Sequence, residues 1–217
     1  MGFLLTFEGI EGSGKTTQAR RLFEFLQSEG LPCVLTREPG GTPFGEALRV
    51  LLLRPETGSL DPLTEALLFA AARREHVLRV LVPALGAGKV VLCVRFTDST
   101  LAYQGWGRGV DFSFLRLLNE QASGGLTPHC TVLLDVEPET GLSRSLASHD
   151  PREVRFELEF SKEIHLLERI REGYLELARR EPERFIVIPV NRSEEEVFRE
   201  IVERVLPRIR QWKEGKA

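Results

Sequence analysis

Phe3-Leu4-Leu5-Thr6-Phe7-Glu8-Gly9-Ile10-Glu11-Gly12-Ser13-Gly14-Lys15-Thr16-Thr17 is the stretch on which the reading of the fold turns. A short apolar run, strand-like over 3–7, enters a cluster of glycines. The glycines open a helical segment with Ala19, Leu22, Phe23 and Leu26 on one face and Gly30 at its close. Residues 9–16 fit G-x-x-x-x-G-K-[ST]. Glycine tolerates the positive φ angles that turn successive backbone N–H groups inward, and those N–H groups cradle phosphate oxygens. The helix starting at Gly14–Lys15 adds its positive end. Lys15 would reach the β- and γ-phosphates, and the Thr16 hydroxyl would hold Mg²⁺. The predicted triphosphate cradle is therefore Gly9, Ile10, Glu11, Gly12, Ser13, Gly14, Lys15, Thr16 and Thr17. A plain glycine-rich turn is the simpler alternative, but the strand before and the amphipathic helix after argue against it.

Working outward, the chain alternates strand-like and helix-like segments. Further strands are expected at 32–36, 89–94, 131–136 and 185–190. Helices are expected around 44–53, 61–85, 112–123, 138–147, 164–179 and 194–211, and Asp61-Pro62 makes a cap-then-proline start. The strands are continuously apolar rather than alternating, the pattern of a parallel sheet covered on both faces. The expectation is a doubly wound α/β fold on a five-stranded parallel sheet, one domain over 1–217. One stretch departs from the alternation. Segment 143–161 is polar and charged, either a solvated surface loop or a lid that closes over a charged ligand.

At 217 residues the chain can bury a full core without staples, and 42% hydrophobic with 28% charged residues describes a soluble globular class. No apolar run reaches the ~18 residues of a membrane span, so no membrane partner is expected. The first nine residues lack the basic flank and long apolar stretch of a signal peptide. A net charge of −3 argues against a nucleic-acid partner, but not against a small phosphorylated ligand held by a few arginines. Cys33, Cys93 and Cys130 sit in apolar runs without a C-x-x-C pair, as reduced core thiols of a cytoplasmic protein would.

The nucleotide signal needs a class. A GTPase would require D-x-x-G and N-K-x-D, and neither string occurs. A short chain with this loop, scattered arginines and a polar segment reads as a small-molecule kinase. Donor and acceptor phosphates repel each other, so several fixed cations are needed. The candidates are Lys15, Arg37, Arg49, Arg73, Arg95, Arg152 and Arg155.

Four separated strings resemble the thymidylate kinase family: F-E-G-I-E-G-S-G-K-T-T (7–17), T-R-E-P-G-G-T (36–42) leading to Arg49, L-L-F-A-A-A-R (67–73) and R-F-T-D-S-T-L-A-Y-Q-G (95–105). R-F-E (155–157) and I-R-E-G-Y-L-E-L-A (170–178) resemble the family's lid and the helix after it, so the match runs through the whole chain in order. The resemblance implies a P-loop nucleoside monophosphate kinase fold with a short lid and transfer of the γ-phosphoryl group of ATP to dTMP. It implies that Phe69 stacks on the thymine ring and Arg73, one helical turn on, bonds the base. Arg49 and Arg95 would grip the monophosphate, with Arg95 bridging to the transferred group. Ser99, Thr100 and Gln104 would meet phosphate and base edges, Tyr103 the sugar, and Glu38 the sugar or the metal. Arg152 and Arg155 would swing over the phosphates as lid cations, and Arg144 would lie against adenine. A homodimer through helix packing is implied as well. Taken by position alone, Phe69 would be ordinary helix core, Arg73 and Arg144 surface helix arginines, Ser99–Thr100 a helix cap and Glu38 a solvated turn residue.

Two departures from the family's pattern stand out. Val94-Arg95 replaces the usual Asp-Arg, and valine cannot bind a hydrated cation. Glu11, Glu8 or Asp98 could supply the carboxylate, and Glu11 is the expectation. The spacing from Arg155 to Arg171 is also a few residues longer than usual. The alternatives are another nucleoside monophosphate kinase on the same fold and, because of Val94, a catalytically weak nucleotide-binding relative.

Overall fold

The computed structural model describes residues 2–148 and 154–215. Strands β1 (Phe3–Glu8), β2 (Cys33–Arg37), β3 (Val90–Val94), β4 (Cys130–Asp135) and β5 (Phe185–Pro189) form one parallel sheet in the order β2-β3-β1-β4-β5. β1 lies at its centre, with Phe3 opposite Val90 on one side and Leu5 opposite Cys130 on the other. Every residue of β1 is buried. Leu4, Val91 and Cys93 point into one apolar cluster with Val77, Leu81 and Leu85. Phe3, Leu5 and Phe7 point into a second, with Leu22 and Leu26 of α1 (Lys15–Ser28) and Ile201, Val205 and Ile209 of α10 (Glu194–Glu214). Burial on both faces is why the strands read as unbroken apolar runs. The doubly wound five-stranded sheet expected from the sequence is the sheet found.

The helices between the strands are α2 (Pro43–Leu53), α3 (Pro62–His76), α4 (Val82–Gly86), α5 (Thr97–Thr100), α6 (Phe112–Ser123), α7 (Pro138–Ser148), α8 (Arg155–Phe160) and α9 (Ile164–Arg180). Side-chain oxygens of Thr42, Asp61, Asp111 and Ser193 cap the N-termini of α2, α3, α6 and α10. The single helix expected over 61–85 widens into a π turn at Val77–Leu81 just before Pro83, which has no amide hydrogen to continue an α ladder.

Two regions were not legible in the sequence. α5 and a π turn at Leu101–Gly107 follow β3 directly. The second is α8, inside the polar 143–161 segment. It is no solvated loop: Arg155, Phe156, Glu157 and Phe160 are buried. The two phenylalanines are its anchors, stacked on each other at 5.9 Å, with the Tyr103 ring 6.1 Å from Phe156 and 6.3 Å from Phe160.

Candidate active site

A cavity of about 760 Å³ opens beyond the carboxyl ends of the strands, where open α/β sheets place ligand sites. Glu11 to Thr17 line one side of it. Gly9, Gly12 and Gly14 hold φ angles of 136°, 66° and 88°. A Cβ on Gly12 would lie 1.9 Å from the Gly141 carbonyl oxygen, so both space and backbone demand glycine there. Gly9 and Ile10 do not face the cavity and contribute through their carbonyls. Lys15 Nζ donates to Ile10 O at 2.6 Å and to Ser13 Oγ at 3.2 Å. Burial, then the Arg95 charge, lowers its pKa from 10.5 to about 7, against the opposing pull of Glu11, Glu8 and Glu157.

Arg95 is the second cation facing the loop. It sits at the end of β3 with φ 66°, a strained angle for a side-chain-bearing residue. Its guanidinium donates to Gly9 O at 3.2 Å, Ser99 Oγ at 3.3 Å, Tyr174 Oη at 3.3 Å and Glu11 Oε1 at 2.9 Å. It also lies over the Tyr103 ring, 4.8 Å from the centroid. Tyr103 Oη donates to both Glu11 oxygens, at 2.7 and 2.8 Å. Beneath these groups lies Glu8, which accepts from Phe96 N at 2.7 Å, Ser99 Oγ at 2.7 Å and Tyr174 Oη at 2.9 Å. Burial, then the Asp98 charge, raises the Glu8 pKa to about 7.

Arg73, Glu38, Thr100 and Gln104 line another wall with Phe69. Arg73 Nε donates to Glu38 Oε2 at 2.8 Å, Nη1 to Thr100 Oγ1 at 3.0 Å and Asn119 Oδ1 at 2.6 Å, and Nη2 to Phe96 O at 3.0 Å. Those bonds use four of the five guanidinium N–H groups, leaving one on Nη2 unbonded among the described residues. Glu38 is also bonded to His76 Nδ1 at 2.9 Å. Buried and doubly bonded, Glu38 is a fixed part of the wall rather than a solvated turn residue. Arg73 is likewise buried, not a surface helix arginine.

Arg49, Arg37 and Arg144 reach the cavity too. Arg49 Nη1 donates to Pro39 O at 3.3 Å, Arg37 pairs with Glu46 at 3.0 Å, and Arg144 Nη1 donates to Val190 O at 3.5 Å. Every candidate named from the sequence among Glu11–Thr17, Glu38, Arg49, Phe69, Arg73, Arg95, Ser99, Thr100, Tyr103, Gln104 and Arg144 is brought to this one cavity.

Arg155 is not. Its side chain is 5% exposed and turned away, with Nε donating to Leu52 O at 2.5 Å and Nη2 to Glu65 Oε2 at 2.6 Å. The residues of α8 that do face the cavity are Phe156 and Glu157. Arg152 lies outside the described residues.

The carboxylate expected to stand in for the missing aspartate can be traced the same way. Val94 lines the cavity, and so does Glu11, whereas Asp98 is turned to Arg184 at 2.7 and 2.9 Å and Glu8 lies beneath the wall. The exposed Thr16 hydroxyl and the Glu11 carboxylate are oxygen donors suited to a hard divalent cation, so the residues present fit Mg²⁺.

The sequence reading missed Glu157 and Arg192. Both line the cavity, and Arg192 forms an ion pair with Glu200. Arg192 follows β5 by three residues. The rule that ligands gather at strand carboxyl ends was the available signal for it. For Glu157 the R-F-E string (155–157) was the signal, though no role was drawn from it.

Comparison with known proteins gives the family. The sequence profile of the family described as "Thymidylate kinase" matches residues 7–201. The thymidylate kinase of Symbiobacterium thermophilum is 50% identical over 211 residues, covering 96% of each chain. That of Syntrophotalea carbinolica is 49% identical over 205 residues, covering 93% of this chain and 94% of its own. The crystal structure of thymidylate kinase from Ehrlichia chaffeensis superposes with a TM-score of 0.75 at 36% identity, covering 93% of this chain and 97% of that one. No helix among the described residues is long and apolar enough to cross a membrane. The chain belongs to the thymidylate kinase family.

Proposed function

We propose that this chain moves the γ-phosphoryl group of ATP onto dTMP, giving dTDP and ADP, and that it does so with Lys15 and Arg95 facing the transferred group. One observation carries the reading. Within one cavity, the cradle of Gly12–Thr17 shares the lining with a wall that carries an arginine with one N–H unused among the described residues (Arg73), a half-buried ring (Phe69) and an amide (Gln104). The cradle suits a triphosphate, and the wall suits a flat base carrying both a carbonyl and an N–H. Arg49 and Arg95 are forked donors suited to the phosphate between them. Acceptor phosphate oxygens are already ionised, so no general base is required. Catalysis then rests on positioning and on fixed positive charge.

Thr16 and Glu11 would hold Mg²⁺, which neutralises charge on the phosphates when bound. For Glu11 to serve, it must exchange its Arg95 and Tyr103 bonds for the cation, which would release both side chains toward substrate. Arg144 with Val190 would take the adenine end of ATP. Segment 143–161 would be the lid, with Phe156 and Glu157 as its inward face. Arg155 would have to leave Glu65 to reach a phosphate, so the transfer step is assigned without it.

Coupled ADP-release assays over a panel of nucleoside monophosphates test the reaction. Turnover should require both ATP and dTMP and favour dTMP clearly. Equal or better turnover of CMP, UMP or AMP overturns the base assignment, and binding of both substrates without turnover overturns the activity.

A second copy of the chain is the partner we propose. Leu63 and Leu67 of α3, Leu78 and Val82 beyond it, Phe114 and Leu117 of α6 and Val50 and Leu51 of α2 are all exposed. α3 packs against both α2 and α6, so these exposed side chains lie on adjoining helices. Sedimentation equilibrium should give a dimer, and Leu67→Glu should shift it toward monomer. A wild-type monomer at micromolar concentration overturns the proposal. A reducing, cytoplasmic setting is the matching location, with three free thiols among the described residues and two of them buried.

A further inference from the structure

Gln104 faces the cavity, but the group that holds it does not. Glu65 of α3 is fully buried and outside the cavity lining. Its Oε1 accepts from Gln104 Nε2 at 2.7 Å and from Arg108 Nε at 2.9 Å. Its Oε2 accepts from Arg155 Nη2 at 2.6 Å and from Arg108 Nη2 at 3.4 Å. Arg108 is pinned in turn by Glu159, at 2.6 and 2.8 Å. The carboxylate of α3 is thus fixed from several sides, by Arg155 of α8, by Gln104 of the π turn and by Arg108 just after it.

We propose that Glu65 is a positioning residue that orients the Gln104 amide with its carbonyl toward the nucleobase, and so sets the preference for a pyrimidine with N–H at position 3 and a carbonyl at position 4. The proposal rests on the dTMP reading above. Flanked by two guanidiniums, the carboxylate accepts and does not donate, so it draws the NH₂ end of the amide. The reverse flip would set carbonyl oxygen against carboxylate oxygen. Gln104 Oε1 has no partner among the described residues and is not sealed in, which leaves an acceptor on the cavity side. Arg73 lines the same cavity and keeps one N–H without a partner among the described residues. An acceptor and a donor on one wall match N3–H and O4 of thymine. Cytosine presents the opposite pair, a bare N3 and an amino group, and each would leave a buried polar group facing its like. A flipped Gln104 would weaken that discrimination while leaving the pocket's shape unchanged.

The test compares dTMP with 5-methyl-dCMP, which keeps the 5-methyl group and differs at positions 3 and 4 alone. The wild-type chain should prefer dTMP strongly in kcat/KM. Glu65→Gln, which allows either flip, should lower that preference at least about tenfold, chiefly through KM. Gln104→Leu should lower it too, and Glu65→Gln added to Gln104→Leu should lower it no further, because the first residue acts through the second. Glu65→Asp keeps the charge between Arg108 and Arg155 but retreats from Gln104 by one methylene. It should shift the preference in the same direction, and it carries the test if the Gln variant does not fold. Wild-type chain that treats the two nucleotides alike overturns the base reading and this proposal with it. A wild-type chain that discriminates, with folded Glu65 variants that keep the full ratio or combine additively with Gln104→Leu, overturns the positioning role alone.

Discussion

The phosphate cradle and segment 143–161 both carry cations named from the sequence, and the structure treats them differently. In the cradle, Lys15 is held by a carbonyl five residues away and a hydroxyl two residues away. In α8, Arg155 is held by Leu52 and by Glu65, ninety residues distant along the chain. A side chain positioned by its own backbone points where the motif says. One positioned by a distant partner points where that partner lies. The contrast teaches that an arginine in a charged run is not thereby a catalytic cation, because a buried carboxylate competes for it.

The largest expected effect separates the two regions directly. Arg155→Ala removes one side of a buried pair and leaves Glu65 short of a partner, a change that costs about 3–5 kcal/mol of stability. Denaturant unfolding should show that loss, with kcat on the surviving folded fraction falling far less. A fully stable Arg155→Ala chain whose kcat collapses would make Arg155 the catalytic cation and break the comparison. Lys15→Met comes next. It should lower kcat/KM by about 10²–10³ through loss of charge facing the transferred group, with unfolding stability unchanged or raised. A decrease of a few fold would remove the cradle lysine from the transfer step.

The third prediction concerns pH. With Lys15 at about 7 in the folded chain and an ordinary value of 10.5, the unfolded chain binds more protons between those two pH values. The buried ammonium therefore destabilises the empty protein in full below pH 7, and that cost is relieved as pH rises through the window. ATP needs the charged form, so its affinity should fall by up to about tenfold per pH unit above pH 7. Calorimetric titration across pH 6.5–9 checks the slope, and Lys15→Met should flatten it. A flat wild-type profile would mean the ammonium stays charged throughout. The smallest effect is expected from Val94→Asp, which adds a carboxylate to the cavity wall beside Glu11. It should lower the Mg²⁺ concentration for half-maximal activity by a few fold. No change in a Mg²⁺ titration would show that Glu11 already fills the place.

The fold was readable because the strands are largely apolar and most junctions carry a glycine, proline or capping residue. α5 and the π turn after it were not readable, since Thr97-Asp98-Ser99-Thr100 offers no apolar periodicity and Gly105 and Gly107 look like breaks. Those glycines are there for packing: a Cβ on Gly107 would lie 2.8 Å from Ile170, and one on Gly105 3.1 Å from Phe112. α8 was hidden because its two buried phenylalanines are diluted by charges whose partners lie elsewhere in the chain.

By itself the sequence determined the parallel sheet and the glycine-rich loop with its lysine, because local backbone chemistry and apolar runs specify these without reference to distant residues. The resemblance, not the local pattern, implied the side chains that the fold brings to the cavity, and it left out Arg192. Tertiary structure alone decided which charges meet. It turned Asp98 to Arg184, Arg155 and Arg108 to Glu65, and Glu11 to Arg95 and Tyr103. A buried charge must find a partner, and which partner it finds depends on how helices far apart in the chain come together.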